Sequence, residues 1–478
     1  MASERPDEQQ TLKNFGGNQT WTARCQRPQD ERALLDILRG TRQGQLRPLG
    51  SGHSWSDVAV THDIALDMSA FDAVRTFERD GEMFAEVGAG CRLQELLDRL
   101  HATTDRTLPT VGAIKRQTVS GAISTGTHGS GKPSLSHFVT AVRLATYDRH
   151  SGEPQIVEYR GGNVLKAARC ALGCMGVLLT VEVRTVAKYL VEETVRPHAS
   201  LDDLLKVYAE HPLTQFILVP HGWGFVAWER KAVDMRPLRL VDRLKAWFFR
   251  LYGIVWIDVA FHLLLKTAVV IGAPAVKLLF RLLPYLLLKK LTRIDHAEHV
   301  LTLGHYYFQH EEMELFVPES RLREAVELLR AATAVFAGDT VSVPEEIETR
   351  LTLHKLHGDL IRNTGTYVQH YPFFFRRVEP DDTLISMTSG AKEPYYSVSV
   401  FTYLAPEQRQ HYYVYCAWLA RAMNRLFGAR LHWGKHFPLG ALEIARLYPE
   451  LERFRQLCRE VDPNGVFRND YTKRVLGL

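Results

Sequence analysis

The chain has 478 residues, 46% hydrophobic and 24% charged, enough for two or three packed units and too apolar for a disordered chain. Its 59 basic and 54 acidic residues leave a formal charge of +5. That is too little for a nucleic-acid partner, and no basic run is interleaved with aromatics. Six dispersed cysteines with no CxxC pair exclude a disulfide framework and fit a reducing, cytosolic compartment.

Residues 1–14 read as a polar, disordered tail, and Met1–Glu8 has no apolar core, so it is not a secretory signal. An α+β domain is predicted over 15–190. Alternating Ile64, Leu66 and Met68 mark a half-buried strand, Met83–Gly90 a strand running into a turn, and 138–147 and 181–186 two more strands. Leu93, Leu96, Leu97 and Leu100 recur at helical spacing. Cys170 and Cys174, four apart, are expected on one helix face as small buried hydrophobes.

A second α+β unit, with an antiparallel sheet, is predicted over 191–430. Within it, 247–290 changes character: Trp247-Phe248-Phe249, Ile254–Ile257, Leu263–Leu265 and Val269–Ile271 are apolar, and Arg250, Asp258, Lys266, Lys277 and Arg281 interrupt them. Its longest uncharged stretch, 267–276, is ten residues, against the ~20 that a membrane span needs. Pro274 and Pro284 would kink any helix. Short apolar helices beside Lys277, Arg281, Lys289 and Lys290 point to a segment lying in a membrane interface, on the cytoplasmic side, the alternatives being a buried helical hairpin and a surface for a partner subunit. A helix over 320–334 is expected to hold Arg321, Arg323 and Arg330 on a solvated face. Strands at 373–376 and 397–403 and a helix at 406–427 follow. Residues 431–478 form compact turns.

Two glycine-rich loops carry the chemistry. Gly50-Ser51-Gly52-His53-Ser54 starts as GxG, but lacks the third glycine and the following helix of a Rossmann fingerprint. Gly126–Lys132 has P-loop spacing, but Pro133 stands where a magnesium-binding hydroxyl belongs. Both make sense as backbone brought close to phosphate oxygens. Together, about seventy residues apart and one presenting a histidine, they look like two halves of a flavin adenine dinucleotide (FAD) site, which makes the chemistry redox. His296/His299 and His354/His357 have HxxH spacing with no clear third ligand, so no metal is expected.

Residues 46–57, 109–131 and Leu172-Gly173-Cys174-Met175-Gly176-Val177 resemble the PCMH-type FAD domain of the vanillyl-alcohol-oxidase superfamily. Within it they resemble the aldonolactone and alditol oxidases. Leu431-His432-Trp433-Gly434-Lys435 and Asp462-Pro463-Asn464-Gly465-Val466-Phe467-Arg468-Asn469 resemble two C-terminal elements of those enzymes.

The resemblance implies a covalent flavin on His53. It implies a cradle of Gly50, Ser51, Gly52, Ser54, Gly112, Gly121, Ser124, Thr125, Thr127, His128, Gly131, Gly176, Val177 and Asn469. Lys435 would lie near flavin N1, and the 431–478 segment would close over the ring. Oxygen access would be set near Ser120-Gly121-Ala122. The family's Glu-x-Arg pair becomes Phe374-Phe375-Arg376 here. Phenylalanine neither binds nor deprotonates a hydroxyl, so the base comes from elsewhere, with Glu314 and Glu379 as candidates, or the substrate is not a free polyol. Thr402 matches a substrate-contacting threonine. The implied activity is hydride transfer from an alcohol or lactol carbon to flavin N5, on a lipophilic or carrier-linked hydroxyl. The electrons would pass to oxygen or a membrane acceptor. Alternatives are a peroxide-forming lactone or alditol oxidase and a non-catalytic flavin-binding scaffold.

Overall fold

The computed structural model describes residues 9–287, 290–303 and 309–478. Residues 1–8 of the expected tail and Lys289 of the basic pair lie outside them. Gln9–Lys13 is not tail: it is a strand, paired antiparallel with Thr20–Gln26. These two join Ile64–Asp67 and Leu46–Leu49 in a four-stranded sheet. Ile64–Asp67 lies between two parallel neighbours. It is therefore buried on both faces, Ala65 included, rather than half-buried.

A five-stranded antiparallel sheet runs Val74–Arg79, Glu82–Gly88, Val177–Arg184, Val139–Tyr147, Pro154–Tyr159. The helix Leu93–Thr103 buries the four predicted leucines against it. The helix before Cys170 ends at Ala168, so Cys170 and Cys174 sit in the turn that follows; both are buried.

The second unit is built on one eight-stranded antiparallel sheet. In spatial order it runs Thr292–His296, Leu190–His198, Phe225–Val233, Gln215–Leu218, Phe373–Val378, Tyr395–Thr402, Glu311–Pro318, Arg430–Leu431. Leu322–Phe336 and Gln410–Phe427 pack beneath it with their long apolar faces. Arg330 is not simply solvated: it donates to the Trp223 carbonyl (3.1 Å) and lies over the Phe225 ring.

The opposite face of the sheet is roofed by the apolar insert. Leu240–Ile271 is one continuous 32-residue helical run, long and apolar enough to cross a membrane by length and composition. The sequence suggested shorter pieces because Arg250, Asp258 and Lys266 interrupt the apolar run. Gly272 (φ +117°), in a conformation that favours glycine, turns the chain into the return helix Ala273–Leu286. The two pack as a hairpin. Phe249, Phe261, Leu265, Phe280 and Leu283 form a core with Val195, Ile217 and Val226 of the sheet. Lys277 faces inward, paired with Asp339 (2.6 Å), and is no lipid-facing cation.

Candidate active site

A cavity of about 730 Å3 runs from the glycine loops across the sheet to the insert. Gly50, Ser51, Gly52, His53 and Ser54 line it, with Gly112, Gly121, Ser124, Thr125, Thr127, His128 and Gly176 opposite. The glycines are spatially required. A Cβ at Gly50 would lie 2.8 Å from Thr118 Oγ1, and one at Gly112 would lie 2.5 Å from Thr127 Cγ2. Gly52 and Gly176 have φ of +68° and +128°. Backbone thus forms the walls where side chains would fill the space, as a bound dinucleotide requires.

Buried Arg47 holds this cradle shut. Its guanidinium donates to the carbonyls of Val58, Leu172 and Phe467, tying the first loop, the 172–177 turn and the C-terminal segment to one point. The C-terminal segment packs directly on the first loop. Ser56 donates to the Trp433 carbonyl (2.6 Å), and the Trp55 amide donates to that of Gly434 (2.8 Å).

Three expected cofactor contacts have other roles. Gly131 packs on the second unit, where a Cβ would meet the Pro212 carbonyl at 2.0 Å; its amide donates to Arg377. Val177 begins a central strand and points into the core beside Leu179. Asn469 donates to the carbonyls of Asp57, Val58 and Val60 while capping the last helix, so it supports the loop from behind. Thr402 is a fourth correction. Strand alternation aims Phe401 at the cavity and turns Thr402 away, into a bond with His370 (3.3 Å).

His53, Arg376, Phe374 and Lys435 all line the cavity. Burial, then the charges of Lys435, Arg116 and Arg92, push His53 down to about 4, so its imidazole is neutral with a lone pair to share. Lys435 reaches Glu312 and stands 4.2 Å from the centre of the Trp55 ring.

Phe374 belongs to one cross-strand row that crosses the sheet as Val226, Ile217, Phe374, Ser399, Glu314. His432 follows just past the end of the next strand, its amide bonded to the Glu314 carbonyl. The first half of the row is apolar and the second polar. Phe374 stacks with Trp228 and Tyr371 and meets Phe401 edge-on. Of the two carboxylates considered as a base, Glu379 pairs with Arg377 and does not line the cavity. Glu314 is on the cavity wall.

Glu314 is 2% exposed, with His128 Nε2 at 3.3 Å, an ion-pair contact rather than an aligned hydrogen bond. Burial alone would raise its pKa, but His128, His432 and Lys435 outweigh burial and hold it well below the usual carboxylate range. His128 Nδ1 donates to the Gly129 carbonyl (2.9 Å), which turns Nε2 toward Glu314. His432 Nδ1 accepts from the Gly434 amide (3.0 Å), so its proton sits on Nε2; burial pushes it down to about 3. These three side chains are the one group among the described residues with the spacing to hold a cation. The tautomer imposed on His432 puts a proton on its remaining nitrogen, which suits a hydrogen-bonded cluster better than a metal.

Sequence reading missed the pairing of Glu312 with Lys435 and of Glu314 with two histidines. The signal was the alternation Glu312-Met313-Glu314, which puts both carboxylates on one strand face.

Comparison with known proteins agrees with this geometry. The D-arabinono-1,4-lactone oxidase family pattern matches residues 181–475, and a FAD binding domain pattern matches 23–149. The chain belongs to the D-arabinono-1,4-lactone oxidase family. A long-chain alcohol oxidase from an uncultured marine euryarchaeote is 37% identical, over 97% of this chain and 96% of its own length. An L-gulono-1,4-lactone dehydrogenase of Mycobacterium tuberculosis is 25% identical, over 94% and 95%. Cholesterol oxidase from B. sterolicum shares the fold, with TM-score 0.70 at 13% identity, over 98% and 97%. The protein is therefore a FAD-dependent oxidoreductase acting on alcohol or lactone CH–OH groups.

Proposed function

We propose that the protein oxidises long-chain alcohols at a membrane surface, on a flavin bound covalently through His53. The observation that carries this reading is Phe374. Where the family glutamate would stand, its ring joins Trp228, Tyr371 and Phe401, and this aromatic wall continues into Phe261 and Leu283 of the insert. A polyol would lose hydrogen bonds to water along that wall; an alkyl chain gains about 0.8 kcal/mol per buried methylene.

The flavin, when bound, supplies the hydride acceptor. Arg376, whose side chain has no hydrogen-bond partner among the described residues, faces the same space and would hold the substrate oxygen, while the Glu314 carboxylate on the same wall would take the hydroxyl proton as the carbinol carbon becomes an aldehyde carbon.

Anaerobic mixing with 1-alkanols of increasing length tests the substrate. Flavin bleaching is expected to rise roughly fourfold per methylene until the cavity fills, and Phe374→Glu to remove most of that gain. Bleaching by aldonolactones with none by any alkanol would refute the proposal and support the ordinary lactone oxidase reading. The linkage is tested by acid precipitation: yellow flavin should stay with wild-type chain and be released from His53→Ala. Release from both would leave the flavin non-covalent.

A further inference from the structure

We propose that the insert is a docking surface for an anionic lipid bilayer, and that the protein tells such a surface from a zwitterionic one. The inference rests on the membrane-facing reading above and adds the chemistry of the partner.

Charge and exposure coincide on this segment. Between Arg236 and Arg293 the sequence has 11 basic and two acidic residues, so the segment carries +9 and the rest of the chain −4. The same segment is where apolar side chains reach solvent. Of 22 large hydrophobics exposed among the described residues, 16 lie between Leu240 and Leu286, including Trp247, Phe248, Val270, Ile271 and Tyr285. Contiguous apolar surface of this kind marks an interaction site.

Some cations are spent internally. Arg236 and Arg239 pair with Asp242, Lys277 with Asp339 and Arg293 with Glu193. Arg243, Lys245, Arg281 and Lys290 are exposed beside the apolar face. Apolar side chains flanked by exposed lysine and arginine match the acyl boundary and headgroup layer of an anionic leaflet.

A second copy of the chain is a poor occupant, because two faces that each expose Arg243, Lys245, Arg281 and Lys290 repel across an interface of low dielectric. The cavity argues for lipid as well. Phe249 and Tyr252 of the long helix and Leu283 of the return helix, with Leu287 just past its end, line it, so the docking hairpin is also the cavity roof. A membrane-dissolved chain would pass from bilayer to flavin beneath that roof.

The test is flotation of the full-length holoenzyme with two kinds of vesicle, phosphatidylcholine alone and phosphatidylcholine with phosphatidylglycerol. Selective binding to the anionic vesicles is expected. It should weaken sharply in high salt and fall about 100-fold in the triple variant Arg243→Gln, Lys245→Gln, Arg281→Gln. None of those three residues lines the cavity, so flavin content should stay at the wild-type level. Equal binding to both vesicles at every salt concentration would overturn the charge recognition. No vesicle binding, with dimers by light scattering, would assign the face to a second copy. Because no substrate enters the measurement, a failed alcohol screen leaves this result standing.

Discussion

Lys435→Ala is expected to lower kcat/KM by about 10²- to 10³-fold, as removal of one charge-stabilising donor does in other active sites. The ammonium is the cation that the Gly434 turn delivers into the cavity, against Trp55 and beside Glu312. Reduction of the cofactor adds negative charge, and a fixed cation in a site of low dielectric stabilises it without reorganisation. The alanine variant also strands Glu312, a buried carboxylate whose loss of partner is costly in its own right. The double variant Lys435→Ala, Glu312→Gln separates the two effects. It should recover most of the melting temperature and little of the turnover, whereas Lys435→Arg should recover part of the turnover. Full recovery of turnover in the double variant would mean that Lys435 serves only to neutralise Glu312.

The FAD-binding half was legible because its constraints are local. A Cβ at Gly50 would strike Thr118 and one at Gly112 would strike Thr127, so glycine is kept there within short motifs that show in the sequence. The apolar spacing that marked Leu93–Thr103 is local too. The substrate wall was not legible. The row Val226, Ile217, Phe374, Ser399, Glu314 takes one residue from each of five strands, and their order, with Gln215–Leu218 beside Phe373–Val378, is nowhere adjacent in the chain. For the same reason Glu314 and Glu379 could not be ranked without the sheet. Thr402 and Val177 failed by alternation: one step along a strand reverses the face. The insert misled because charges counted along the chain look like helix breaks, whereas Lys277 finds Asp339 sixty-two residues away. The strand Gln9–Lys13 was hidden by its polarity; only one of its residues, Leu12, packs on apolar neighbours.

Glu314→Gln should destabilise the protein at neutral pH by an amount that shrinks as the solution is acidified. In the fold the carboxylate is ionised, held there against its burial chiefly by His128, with Lys435 adding to it. Its folded pKa lies below the unfolded value of 4.5, so its contribution is complete above that pH and is lost as pH falls through the folded value. Breaking such a buried pair typically costs about 3–5 kcal/mol, and glutamine, which keeps the shape and one acceptor, should recover part of that.

Both proteins should weaken further from pH 6.5 down to about 4, for a separate reason. His53, His370 and His436 are pushed down to about 4 and His432 to about 3, each chiefly by burial. They stay neutral in the fold, while the unfolded chain takes up their protons below 6.5, which favours unfolding. Melting temperatures from pH 8 to pH 4 should therefore fall in parallel at first. The gap between wild type and variant should close only as the Glu314 carboxylate itself becomes protonated. A gap constant with pH would mean that Glu314 is neutral in the fold and that the cluster is held by hydrogen bonds alone. The variant should also lose flavin. Its His432 no longer has an anion to orient the ring that receives the Gly434 amide, and the Gly434 carbonyl is what anchors Ser54 and Trp55 of the flavin loop.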